Sequence, residues 1–198
     1  MVAKRYGYLT EKWNKLRPEQ AGYRPRRSCE EQLVFLSAYV NRAKEEGEDT
    51  MLLAVDFTAA FDKAKRTKMY LKMIEKEYPP QMIKWFMAFL RKRKARVRIK
   101  DMISRFRTFQ EGFPQGTILG PRFWDSFVDD IVATLICDIP QHYQPEALLY
   151  ADDITILIRA SPNKRKEMET TMQRVVKGLA KWEKENMAQV SLEKTTIA

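Results

Sequence analysis

The sequence predicts an α+β fold, an antiparallel β-sheet packed on helices, and three observations carry that reading. Short apolar runs with a period of two, "MLLAVDF" (51–57) and "LLYADDITILI" (148–158), read as strands. Two stretches, one around Asp101 and one around Asp152 and Asp153, read as hairpins, so neighbouring strands run antiparallel. Between the strands lie segments with helical start and stop signals and apolar residues at helical spacing.

Taken in order, a basic N-terminal segment comes first. "SCEEQLVFLSAYVNRAKEEG" (28–47) is a helix, with Ser28 as cap, Glu31 three residues on and Gly47 at its far end. In the strand 51–57 the period of two puts Leu52, Ala54 and Asp56 on one face. Helices are expected over about 67–78 and 81–94, separated by Pro79 and Pro80. "ARVRIKDMISRFRTF" (95–109) reads as a hairpin with a basic outer face. The loop "GFPQGTILG" (112–120) leads into a helix from Pro121 to about Cys137. The acidic hairpin follows, then a helix from Ser161-Pro162 whose stripe of Met168, Met172, Val175, Leu179 and Trp182 is core packing, and a last strand over 188–198.

Composition narrows the chemistry. The 198 residues suit one domain, or one and part of another, and 44% hydrophobic content is ample for a core. Lys plus Arg number 36 against 26 Asp plus Glu, a formal charge of +10, which points to a polyanionic partner such as nucleic acid or an anionic membrane. Cys29 and Cys137 are far apart and no Cys/His cluster offers a zinc site, so a reducing intracellular compartment is the default. No run of about 20 apolar residues predicts a membrane span. His142 is the single histidine and sits between prolines in "IPQHYQP", which argues against Ser-His or Cys-His chemistry. An enzyme built from this chain works with carboxylates.

Asp152 and Asp153 are adjacent within an apolar strand pattern. Two carboxylates about 4 Å apart repel by roughly 4 kcal/mol at an effective dielectric near 20, so both stay ionised only beside cations or open water. A surface turn is the plain reading. The alternative brings in Asp56, a second carboxylate in a strand; on adjacent strands, Asp56 and the couplet could hold two Mg²⁺ ions for phosphoryl transfer.

"LLAVDFTAAFDKAKR" (52–66), "GFPQGTILGP" (112–121) and "LLYADDITILI", in that order and spacing, closely resemble three consecutive palm motifs of reverse transcriptases, those of non-LTR retrotransposons and group II introns in particular. "AGYRPRRSCEEQL" (21–33) resembles the fingers motif that precedes them. The resemblance covers residues 17 to 198 and implies a polymerase palm over 51–198, with a basic helix and hairpin at about 80–110 inserted between the first two palm motifs, and a partial fingers segment over 1–50.

Position by position, it implies catalytic and metal-ligating roles for Asp56, Asp152 and Asp153, with two Mg²⁺ ions, Mn²⁺ being possible, as cofactors. It places Phe61 beneath the sugar, where a bulky ring excludes a 2′-hydroxyl and selects deoxynucleotides. It gives Gln115 and Gly116 contacts to nucleotide and template, and Lys194 a part in pyrophosphate release, although a plain helix-start turn and a solvated lysine account for the same residues. Asp62 reads as supporting structure; Asp129 and Asp130 read as a polar helix face. Residues 84–107 hold ten Lys or Arg against one acid, Asp101, which suits phosphate binding through Arg91, Lys92, Arg93, Lys94, Arg96 and Arg98. Arg24, Arg26 and Arg27 form a second basic group near template or nucleotide. Either patch reads equally as a solvated face.

The implied partners are an RNA template, a DNA primer and dNTPs, with no membrane. Upstream fingers strands and a thumb are expected outside this chain, together with an endonuclease domain if the element carries one; the resemblance suggests intracellular action, in the nucleus. "FDKAKR" and Arg122 in "GPRFWDSF" depart from the family pattern. The competing reading is a degenerate or domesticated nucleic-acid-binding module without catalysis. An RNA-making polymerase is disfavoured by Phe61.

Overall fold

The computed structural model describes residues 1–198, the side chain of His142 excepted, so the expectation for that histidine lies outside the described residues. Helix α1 (Val2–Lys12) comes first and has no side-chain cap. Its Tyr6 is buried, stacked on Tyr78 and edge-on to Phe86. After the loop 13–28, α2 (Cys29–Glu45) starts at the expected capping box: Ser28 accepts from the Glu31 amide and Glu31 from the Ser28 amide. Gly47 follows with φ +70, and β1 (Asp49–Val55) begins.

The expected alternation holds in β1. Leu53, Val55 and the following Phe57 are buried in the core, while Leu52, Ala54 and Asp56 share the other, half-buried face. Then come α3 (Ala60–Lys63), α4 (Arg66–Glu75) and α5 (Pro80–Leu90). A projecting ribbon follows, in which β2 (Arg93–Ala95) pairs with β5 (Arg107–Phe109) and β3 (Arg98–Ile99) pairs with β4 (Met102–Ile103). The turn lies at Lys100-Asp101 as expected, but the ribbon stands clear of the body, exposing apolar Val97, Ile99, Met102 and Phe106 as well as cations.

The helix expected from Pro121 to Cys137 is two helices, α6 (Leu119–Val128) and α7 (Ile131–Ile136). The break falls at Asp129-Asp130, and neither aspartate forms a merely polar face. Asp129 is buried, accepting the Arg17 amide at 2.7 Å and pairing with Lys76. Asp130 binds the buried Lys72 ammonium at 2.6 Å and the Trp182 indole at 2.8 Å. Lys72, with its charge desolvated, also donates to the Phe127 carbonyl and lies over the Phe127 and Trp182 rings.

The main sheet closes with β6 (Glu146–Tyr150), β7 (Asp153–Ala160) and β8 (Thr196–Ile197), after α8 (Arg165–Asn186) has crossed behind it. Its order is β6-β7-β1-β8, with antiparallel pairing throughout. The stripe Met168, Met172, Val175, Leu179 and Trp182 of α8 is buried as expected. The last strand is shorter than the sequence suggests. Residues 192–194 form a turn, because the Ser191 amide donates to the Asp56 carbonyl at 2.8 Å and the Thr195 amide folds back onto Ser191 at 2.9 Å.

Candidate active site

The β-pairing decides which carboxylates meet. In the β1–β7 ladder Val55 faces Ile154, so one step further the register sets Asp56 opposite Asp153. Tyr150 pairs with Asp153 across the β6–β7 hairpin, which leaves Ala151 and Asp152 as a two-residue turn. The turn answers the geometric problem of two adjacent strand residues, whose side chains otherwise point to opposite faces.

That turn puts a non-glycine residue at φ +59, Ala151, a conformation costing roughly 1 kcal/mol or more. Three contacts hold it. The Trp124 indole N–H donates to the Ala151 carbonyl at 2.9 Å. Gly22 lies so close that a Cβ there would stand 2.3 Å from the Ala151 nitrogen. The segment before Gly22 clasps β6 through Ala21 N to Leu149 O at 2.8 Å and Leu149 N to Glu19 O at 3.1 Å.

The resulting cleft, about 440 Å³, is lined among others by Asp56, Asp152, Phe61, Gln115, Gly116, Lys194 and Tyr23. The fingers-like segment, all three palm motifs and the last lysine therefore converge on one cavity. Phe61 leans on the Trp124 ring with centroids 5.6 Å apart. Gln115 donates to the Asp62 carboxylate at 3.2 Å, so Asp62 orients the glutamine. Gly112, at φ +75, is where the loop crosses α3; a Cβ would lie 2.4 Å from the Asp62 carbonyl. Arg66, one of the basic residues departing from the family pattern, is buried and donates to the carbonyls of Leu90, Phe109, Glu111 and Gly112, fixing the start of the same loop.

Charge in the cleft is unbalanced toward anions. The Asp153 carboxyl is held above its ordinary value, first by partial burial and then by Asp152 and Asp56, with Lys194 pulling the other way. Lys194 Nζ lies 3.3 Å from Asp56 Oδ2, yet that oxygen is sealed from solvent and receives no hydrogen bond. Among the described residues no three Asp, Glu, His or Cys side chains close into a ready ion cage; Asp56 faces Lys194, and Asp153 is exposed. An orphaned oxygen beside two further carboxylates is nonetheless a donor set suited to a hard divalent cation.

The basic residues divide. Arg24 is committed internally, forked onto Glu11 at 2.8 and 3.0 Å and donating to the Arg17 and Gln20 carbonyls. Arg26 and Arg27 are exposed. Arg91, Lys92, Lys94, Arg96 and Arg98 are exposed along α5's end and the ribbon; Arg93 stacks on Phe89 and Arg96 on Phe106.

Residues 2–198 match the protein family described as reverse transcriptase (RNA-dependent DNA polymerase). The chain belongs to the reverse transcriptase family. Similar proteins include a probable RNA-directed DNA polymerase from transposon BS of Drosophila melanogaster, 26% identical over 195 residues, which covers 98% of this chain and 21% of that protein. The RNA-directed DNA polymerase from mobile element jockey of the same fly is 26% identical over 144 residues, covering 71% of this chain and 15% of its own length. These are relatives of the non-LTR type that the motifs resemble. The chain thus spans about a fifth or less of the relatives it matches. Among solved structures, apo telomerase from Candida tropicalis, truncated from its C-terminal domain, superposes with a TM-score of 0.71 at 14% identity over 99% of this chain and 40% of its own, a likeness of fold.

Trp124, Tyr23 and the orienting role of Asp62 were not singled out by the sequence. Tyr23 could have been, as the aromatic next to Gly22 in the fingers motif; Trp124 reads only as a core residue of an apolar helix. Beneath the cleft, Asp125 is buried with Oδ1 lacking any hydrogen bond; burial pushes its carboxyl well up, opposed by Arg122 and Arg24. Arg122 packs on Gly7, where a Cβ would meet its guanidinium at 2.3 Å, so the second departure from the family pattern serves as partial counter-charge to Asp125.

Two outcomes follow for stability. Trp124→Phe keeps a ring under Phe61 but orphans the Ala151 carbonyl, and urea unfolding is expected to show a loss of about 1–3 kcal/mol. For Asp125 the folded carboxyl binds its proton more tightly than the unfolded one, so its contribution to stability is fully present below the unfolded value near 4 and declines as pH rises toward the folded value. Asp125→Asn is therefore expected to gain on the wild type as pH rises from about 4 toward neutrality; a difference flat with pH, measured by urea titrations across that range, would contradict the assignment.

Proposed function

We propose that this chain is the catalytic palm, with part of the fingers, of an RNA-directed DNA polymerase of a retroelement, joining deoxynucleotides to a primer on an RNA template. The observation that carries the reading is the single cleft shared by Asp56, Asp152, Phe61, Gln115 and Lys194, with Asp153 across the register from Asp56. Residues 1–50 are read as the fingers part and 51–198 as the palm. Fingers strands, thumb and any endonuclease belong to a longer polyprotein working in the nucleus.

Asp56, Asp152 and Asp153 would hold two Mg²⁺ ions, or Mn²⁺, which supply activation of the primer 3′-hydroxyl and stabilisation of the leaving oxygen. The chain's own side chains bind and orient. Phe61, braced by Trp124, is a rigid wall under the sugar, where a 2′-hydroxyl would collide with carbon and find no acceptor. Gln115, fixed by Asp62, offers its amide to the nucleotide or the template. Lys194, largely exposed and already beside Asp56, meets the negative charge of the departing pyrophosphate. The cations from Arg91 to Arg98, with Arg26 and Arg27, bind phosphates of the template and primer.

Primer extension by the full-length protein that contains this chain tests the mechanism. Asp152→Asn is expected to lower extension by about 10²-fold or more while leaving template–primer binding within about threefold. Equal extension by variant and wild type would remove the polymerase reading and leave a nucleic-acid-binding module. Phe61→Ala is expected to raise ribonucleotide incorporation relative to deoxynucleotide by about tenfold or more in the same assay, a loss of selection worth roughly 1–3 kcal/mol.

A further inference from the structure

A groove of about 820 Å³ runs between α4 and the C-terminal end of α5, apart from the residues that line the catalytic cleft. Thr67 and Tyr70 form one wall, Lys84 and Met87 the other, and Arg91 and Lys92 close its end. No acidic residue lines it. The three lysine and arginine side chains at its rim are exposed, and none is paired with a carboxylate among the described residues.

A helix C-terminus normally repels anions, through the carbonyls left without partners in its last turn. Here Arg66 donates to the Leu90 carbonyl at 2.6 Å, and its guanidinium forms part of the groove floor. One of the last-turn carbonyls of α5 is thereby bound by a cation, which lessens the repulsion of that helix end for a phosphate. Tyr70 is half-buried with its ring unpaired with any aromatic side chain among the described residues, and Met87 is 48% exposed.

The geometry points to a binding groove for single-stranded nucleic acid, with Lys84, Arg91 and Lys92 on the phosphates and Tyr70 and Met87 as the wall against which unstacked bases lie. A duplex offers a protein its phosphates and keeps its base faces stacked away, so it has no use for an aromatic and thioether wall. A single strand offers both a backbone and free π-faces, the combination this groove meets. The inference rests on the polymerase reading for why a template-handling protein would hold an unpaired strand, but its chemistry is local to the groove.

The test is fluorescence anisotropy with the complete chain and three labelled probes: a 12-nucleotide RNA, a 12-nucleotide DNA and a blunt RNA–DNA hybrid. Lys84→Glu, a surface change on the groove wall, is expected to weaken a single-stranded probe about fivefold or more and the hybrid less than about twofold. Met87→Ala is expected to weaken the single strand several-fold at constant salt slope, because it removes wall and not charge. RNA and DNA are separate arms, and this pattern on either supports the groove. Equal losses on strand and hybrid, no loss on either strand, or displacement of the strand by oligoglutamate at matched charge would overturn it. Wild-type protein that binds none of the three probes would instead bring down the nucleic-acid reading of the whole chain.

Discussion

The hydrogen bond from the Trp124 indole to the Ala151 carbonyl is the interaction on which the arrangement of the cleft depends. A two-residue turn brings Asp152 and Asp153 to one end of the sheet, and the turn demands a backbone conformation that alanine adopts only when held there. Trp124 holds it from below while its ring supports Phe61. Phe61 and the acidic turn are thus set by the same side chain, which in turn packs on Phe57 and Phe127 in the core. Rigidity of the core is transmitted to the cleft through aromatic contact and one N–H group.

Charge is arranged on the same economy. Two acidic groups in and near the cleft face cations that only partly offset them: Lys194 beside Asp56, and Arg122 and Arg24 near Asp125. Cations on the outside, along α5 and the ribbon, have no carboxylate partner among the described residues. The internal ion pairs do other work. Lys76 with Asp129 and Lys72 with Asp130 staple α4 to the break between α6 and α7, where burial makes a broken pair costly.

Much of this was legible in the sequence wherever the signal is local. The capping box of α2, the alternation of β1, the acidic hairpin and the stripe on α8 all depend on neighbours a few residues away. The motif order gave the cleft, since Asp56, Phe61, Gln115, Asp152 and Lys194 do meet. What escaped depends on distant partners. Helix α1 has no cap and contains Gly7, whose place is explained only by Arg122 over a hundred residues on. Asp129 and Asp130 looked like surface because their lysines lie far along the chain, at the end of α4 and just past it. Arg24 looked available for phosphate because its partner, Glu11, precedes it by a full turn of chain reversal. The last strand was overestimated because its alternation continues through a segment that main-chain bonds to Asp56 fold into a turn.

That turn has a practical corollary for anyone dissecting the protein. The closing residues are stitched to β1 on both sides of the acidic position: Thr58 N to Gln189 O at 2.8 Å, Ser191 N to Asp56 O at 2.8 Å, and a reciprocal pair between Leu52 and Ala198 at 2.8 and 2.9 Å. A minimal domain trimmed just after α8 would keep every motif aspartate, yet strip the main-chain scaffolding and the lysine from one of them. Boundaries drawn at the last recognisable motif would cut away part of the cleft's own support.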